Sequence, residues 1–315
     1  MCSHRRLWKF LLCALCLSAA PAWADGHGPA FGYSTTLLGV GDSSIETSFM
    51  WRSGVAMFSP VVSYGWRENL QISISSPFNL NQNEHPVGRF TATMPGTPEV
   101  EGLLAWRFLH RSTGVASRNE ATLYFGGSAS TQLLPRADGP ALQREPAIYA
   151  AAAAGHISRK YYVWAGAGYQ HNGRWSSGDQ DHQSDSMLSS LVFGWRPPFL
   201  DMDYPKPDLR FFWETTGDWI GHASRGPIVG TGPFCDPHSG CTTPPPPTST
   251  GVTVLPNSGG TAVYTGPSFL CTYRSMAFQT GVQYGVWDHR NGVQPPERFR
   301  VVVGFSYFFL GGRRK

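Results

Sequence analysis

The chain has 315 residues, with 25 Lys+Arg against 21 Asp+Glu and a formal net charge of +4. The basic residues are not clustered, which excludes a nucleic-acid footprint. Its 36 Gly, 11 Trp, 12 Tyr and 19 Phe depart from the usage of an ordinary cytosolic enzyme.

Taken in order, Arg5, Arg6 and Lys9, the apolar run 10–20 and Ala22-Trp23-Ala24 read as a secretory signal over residues 1–24, cleaved after Ala24. Cys16 follows the large Leu15, which argues against a lipoprotein signal. The signal holds three of the 25 basic residues and none of the acids, so the mature chain carries 22 against 21. Asp25, Gly26 and His27 would then open it. An amine, two amides and an imidazole at that spacing suit a square-planar Cu(II) or Ni(II) site, although such a tripeptide also arises by chance. No other metal set and no cofactor motif is read.

Residues 25–42 are Gly-rich and irregular, and are expected on the periplasmic side or in the barrel mouth. Past them the pattern becomes period-2. Strands are expected over 44–52, 55–66, 70–78, 100–111, 118–133, 147–157, 161–170, 186–196, 208–220, 261–273, 275–287 and 298–309. In 208–220, for instance, Leu209, Phe211, Trp213 and Trp219 oppose Asp208, Arg210, Glu214 and Asp218. In the last strand Phe299, Val301, Val303, Phe305, Tyr307 and Phe309 form one apolar face. The Ala-rich 147–157 is ambiguous in facing, and 147–155 is the longest apolar run of the mature chain. That is far short of the roughly 20 residues a spanning helix needs. A membrane location would therefore have to be reached with strands, since only helices and closed barrels satisfy the backbone in lipid.

The count is even and the connections alternate. Turns after strands 2, 4, 6 and 10 are short, and that after strand 8 is moderate. Loops after strands 3, 5, 7, 9 and 11 are longer, and that after strand 1 is a short exception. This parity points to an all-β fold, a transmembrane antiparallel β-barrel of about 12 strands with short periplasmic turns and long extracellular loops. The mature chain, 25–315, reads as one such domain, closed by its last strand against 44–52. A secreted sandwich would have no reason to keep the parity. The longest loop, 221–260, holds Pro244 to Pro247, read as extended polyproline-like chain, and Cys235 and Cys241, a candidate disulfide in an oxidising compartment. Cys271 is left as an odd, buried thiol.

The expected inward face carries Glu46, Arg52, Glu101, Arg107, Arg118, Glu120, Asp208, Arg210, Glu214, Asp218, Arg298 and Arg300. Both signs occur in near balance, which fits paired structural charges better than a one-signed selectivity ring. Arg298 and Arg300 are expected near Glu46 and Arg52. The same residues are the candidates for lining a solute path. A hydrolase would need Ser beside His; Gln170-His171-Asn172-Gly173 with Ser176 and Ser177 is the nearest approach. There Gly173 takes the place two residues after the His where the outer-membrane phospholipases carry their Ser, and His171 is expected in a loop, off the lipid-facing wall.

The stretches Gly28-Pro29-Ala30-Phe31-Gly32, Ser48-Phe49-Met50-Trp51-Arg52-Ser53-Gly54, Ser63-Tyr64-Gly65-Trp66-Arg67-Glu68-Asn69-Leu70-Gln71 and Val100-Glu101-Gly102-Leu103-Leu104-Ala105-Trp106-Arg107 resemble a bacterial outer-membrane family labelled for the meta pathway of phenol degradation. The resemblance implies a β-barrel of the Gram-negative cell outer membrane, with a porin-like transport role for small aromatic or hydrophobic solutes and no catalytic residues. The 221–260 loop reads as an addition to that pattern. The expected partners are the lipid bilayer, lipopolysaccharide, an unnamed solute and, through Phe308 and Phe309 near the C-terminus, the barrel-assembly machinery. The functional alternatives are a closed interaction barrel with binding loops and, less favoured, an outer-membrane hydrolase.

Overall fold

The computed structural model describes residues 28–52, 55–80, 99–130, 147–172, 181–182, 185–198, 206–222, 224–225, 234–236, 240–242, 253–254, 259–292 and 296–311. The signal segment, Asp25, His27 and Pro244 to Pro247 lie outside them.

Twelve long strands form the wall: β1 Ser43–Arg52, β2 Val55–Arg67, β3 Leu70–Ser75, β4 Glu99–Gly114, β5 Ser117–Ser130, β6 Ala147–Ile157, β7 Tyr161–Asn172, β8 Ser186–Trp195, β9 Asp208–Ile220, β10 Gly260–Tyr273, β11 Met276–Arg290 and β12 Phe299–Phe309. Each pairs antiparallel with its sequence neighbours, and β12 closes the cylinder on β1, from Ser43 opposite Phe309 to Arg52 opposite Arg300. Closure leaves no edge whose N–H and C=O groups need water. No described helix is long and apolar enough to cross a membrane, which says nothing of strands.

The alternation read in the sequence is the alternation of the wall. Ile45, Phe49, Val62, Trp66, Ile72, Phe193, Trp213, Trp219 and Phe305 are exposed on the outside. Ser44, Ser63, Ser73, Thr122, Ser190 and Thr216 are buried inside. An apolar exterior around a polar interior inverts the usual soluble arrangement and is what a lipid environment requires. In β6, Ala147, Ala151, Ala153 and Ile157 point inward, which settles the facing of the Ala-rich strand.

Several expectations are corrected. The third strand stops at Ser75 rather than 78: Pro77 cannot donate a ladder bond, and Phe78–Asn79 pairs separately with Met57 and Phe58. β4 and β11 run longer than read, to Gly114 and Arg290. The β4–β5 turn shrinks to two residues, with Ala116 at φ 53°. The long loop contains paired segments, Ser224–Arg225 between Asp181–His182 and Thr253–Val254, and a hairpin of Phe234–Asp236 with Gly240–Thr242. In that hairpin Cys235 stands opposite Cys241; their side chains lie outside the described ones. Cys271 is not buried: it is a free thiol, partly exposed, opposite Leu209 in the wall. Phe308 faces inward into an apolar cluster with Ile157, Tyr162, Trp164, Phe212 and Leu270, so of the terminal aromatic pair only Phe309 is exposed.

Candidate functional site

Residues 28–38 run through the lumen, and 39–42 turn at its short-turn end, where Val40 is exposed. The backbone N–H groups of Ala30, Phe31 and Gly32 donate to the Glu214 carboxylate at 2.7, 2.8 and 2.8 Å. Tyr33 N donates to Ser190 Oγ at 3.0 Å, and Leu38 N donates to Gln71 Oε1 at 2.9 Å. Thr35 is completely buried; its hydroxyl donates to Glu120 and accepts from Trp164 Nε1. Gln279 Nε2 holds Gly28 O, Tyr149 donates to the Tyr33 hydroxyl and Tyr124 to Ser34 O. The partners come from β3, β5, β6, β7, β8, β9 and β11, most of the circumference of the wall. It is thus an internal plug, deeper than the mouth position expected for it.

The wall is built to receive it. A Cβ on Gly281 would stand 2.7 Å from the Phe31 ring, and one on Gly166 2.8 Å from Tyr33 Cβ. The inward Gly and Ala residues of β6, β7 and β11 therefore mark the volume of the plug. Gly32 fits the reverse need, since a Cβ there would meet Val192 Cγ2 at 2.6 Å. Glu214 holds the plug near its start, at residues 30–32. A buried carboxylate is costly without donors, and here three N–H groups and the Ser268 hydroxyl supply them.

The other charges form three groups. At the long-loop end, Arg52 forks onto Glu297 at 2.9 and 2.8 Å, and Arg300 contacts the same carboxylate at 2.8 and 3.1 Å. Arg290 and the Tyr264 hydroxyl also reach Glu297, Arg300 pairs with Asp218, and its guanidinium lies 3.5 Å from the centre of the Tyr264 ring. Burial alone would push the Glu297 carboxyl up, but the Arg52 and Arg300 guanidiniums beside it hold it well below the usual carboxylate range. At the short-turn end, Glu120 accepts from Arg107 at 3.1 Å and Arg118 at 2.9 Å, with His110 3.7 Å away. Nearby, Asp208 accepts from Arg196 and Arg210, each at 2.7 Å.

Of the twelve sequence candidates, Arg52, Asp218 and Arg300 share the first group, Arg107, Arg118 and Glu120 the second, and Asp208 and Arg210 the third. Glu214 holds the plug. Glu46 and Glu101 take hydroxyl donors, from Ser44 and Ser75 respectively. Arg298 differs: it is exposed just before β12, and Glu297, unread in the sequence, has the buried place beside it. Arg300 stands opposite Arg52, with Glu46 six residues further along β1. His171 belongs to β7 rather than a loop and lies on the outward face, bonded to Asp185, which also accepts from Tyr169. Among the described residues no hydroxyl nucleophile bonds His171; Ser176 and Ser177 lie outside them. Also unread were Arg196, Arg290, Tyr264, Thr35 and the three lumen tyrosines. The inward small residues of 151–168 were a signal for the plug, because a wall without side chains needs another filler.

No family model and no curated protein matches the chain, so the phenol-degradation resemblance rests on its motifs alone. Among solved structures, the fold is similar to an outer membrane channel from Pseudomonas putida F1, at 12% identity over 90% of this chain and 100% of that one, with a TM-score of 0.56. Looser likenesses are the NanC porin, 10% identical over 84% and 98% with a TM-score of 0.43, and LpxR from Salmonella typhimurium, 12% identical over 84% and 100% with a TM-score of 0.40. At these identities the likeness is one of fold: a closed, 12-stranded antiparallel barrel of outer-membrane type.

Proposed function

We propose that this protein is an outer-membrane channel for small solutes, with its short turns in the periplasm and its lumen filled by residues 28–38 in the conformation described. The observation that carries this reading is the filler itself. A barrel closed for structural reasons is packed by its own wall side chains; here Gly166, Gly168, Gly281, Ala151 and Ala153 leave a chain-wide bore that a separate segment occupies. Displacing that segment would open a polar path between two charged mouths. The solutes would be small and of the aromatic or hydrophobic class that the motif resemblance implies.

The test is conductance. Purified protein in planar bilayers should give discrete current steps, and liposomes carrying it should swell in a permeant solute. A folded, heat-modifiable barrel that passes no current under any voltage would favour the second reading, a closed interaction barrel. What supports that alternative is the ion pairing at both ends of the lumen, one group at the loop end and two at the turn end.

A further inference from the structure

The two sides of the lumen are filled differently. On β6 to β10 the inward side chains are sealed: Ala151, Trp164, Ser190, Glu214, Thr216 and Ser268 are all buried. On β1 to β4 the inward Glu46, Ser48, Ser59, Gln71, Ser75 and Leu103 are only half-buried. Outward positions on the same strands, such as Ile45, Phe49, Val62 and Ile72, make the apolar exterior, so the exposed area of the inward set opens on the lumen. A cavity of about 270 Å³ lies between the plug and this wall. Ser63, Gln71 and Ser73 line it from the wall, and Ser34, Thr36 and Leu37 from the plug. Leu38 borders it too and packs against the apolar cluster that holds Phe308 at the turn end.

We propose that the solute path of this channel runs beside the plug, along the inner face of β1 to β4, and that Leu37 and Leu38 gate it at the turn end. The wall carries the first half of the argument. Serine is small, and its hydroxyl both donates to and accepts from water. An inner face bearing Ser48, Ser59, Ser63, Ser73 and Ser75 therefore leaves room and hydrates it. The Ala and Gly of β6 and β7 leave room as well, but there the plug takes it: a Cβ on Gly166 would meet Tyr33 at 2.8 Å. Anchoring carries the second half. Residues 30–33 are tied by four backbone N–H groups to Glu214 and Ser190 on β9 and β8. Leu38 is tied to a different wall, where its N–H donates at 2.9 Å to Gln71, which also donates to Ser73. The two attachments are separate, so a shift of residues 37–38 opens the cavity toward the turn end while residues 30–33 stay in place. This inference rests on the channel reading and says which side of the lumen conducts.

Cysteine accessibility in the full-length protein tests it, with a membrane-impermeant trimethylammonium methanethiosulfonate as the probe and the natural protein as the blank. Ser59→Cys and Ser75→Cys, both close in size to the natural residue, should be labelled in the folded barrel and lose most of their bilayer current on labelling. Thr216→Cys, on the sealed side, should be neither labelled nor blocked. Gln71→Ala should raise the current while hydrogen exchange at Ala30, Phe31 and Gly32 stays protected. Labelling at 216 with none at 59 or 75, labelling at 59 and 75 with the current unchanged, or a Gln71→Ala current no greater than the natural one overturns the proposal. Should one serine variant fail to fold, the other decides. A natural protein that passes no current sinks the channel reading instead. In that case the mass of the labelled protein still reports which side admits water, and equal labelling on both sides would overturn the open β1–β4 face as well.

Discussion

A carboxylate at position 214, fully buried midway along β9, accepts three backbone N–H groups of the plug and the Ser268 hydroxyl. Orphaning a buried donor costs roughly 1–3 kcal/mol, so Glu214→Ala should release the plug while sparing the wall. Hydrogen exchange at Ala30, Phe31 and Gly32 would show lost protection, with the β9–β10 ladder unchanged; retained protection would remove Glu214 from this role. Glu297 makes a different prediction. Its folded value is held below the unfolded one of about 4.3, by Arg52 and Arg300 against the opposing effect of burial. Its stabilisation is therefore complete above the unfolded value and fades as pH falls from there through the folded one. Denaturant midpoints between pH 7 and 3 should drop more steeply for the natural protein than for Glu297→Gln, and parallel curves would contradict this. The two glutamates were not equally legible. Glu214 lay on an alternating strand whose apolar partners revealed its facing. Glu297 precedes β12 in an irregular stretch, where no period fixes a side chain, and the adjacent Arg298 was read into the lumen in its place.

Among the elements, the wall strands were readable because every one must divide lipid from interior, and that division repeats every second residue. Ends were harder. Pro77 broke the third strand where hydropathy continued, and β7 ran on through His171 where polarity suggested a loop. The plug has no period of its own; only the stripped inner faces of β6, β7 and β11 announce it. That reading has a direct consequence at Gly281, where a Cβ would stand 2.7 Å from the Phe31 ring and 2.8 Å from Ser268 Cβ. Gly281→Val should displace the plug while the barrel still forms. Limited proteolysis should then cut near residues 28–42 in a barrel that keeps its heat-modifiable mobility. An uncut segment would mean that the wall yields instead.

At the scale of the molecule, closure, apolar exterior and charge pairing act together. Ion pairs inside a protein repay desolvation only when well hydrogen-bonded, and the forked contacts of Arg52 and Arg300 on Glu297 meet that condition. The near balance of lumen charge was legible from composition along the inward faces. Its segregation into two groups at the turn end and one at the loop end was not, because it depends on which strands become neighbours around the cylinder. Both mouths are then charged, and the middle is closed by a chain segment rather than by the wall. The central claim is that this segment, and not the barrel, closes the path. Single-channel conductance of the full-length protein beside a variant lacking residues 28–38 tests it most directly. Larger and longer-lived current steps after the deletion are predicted; a folded deletion variant with conductance no greater than the full-length protein would contradict the account.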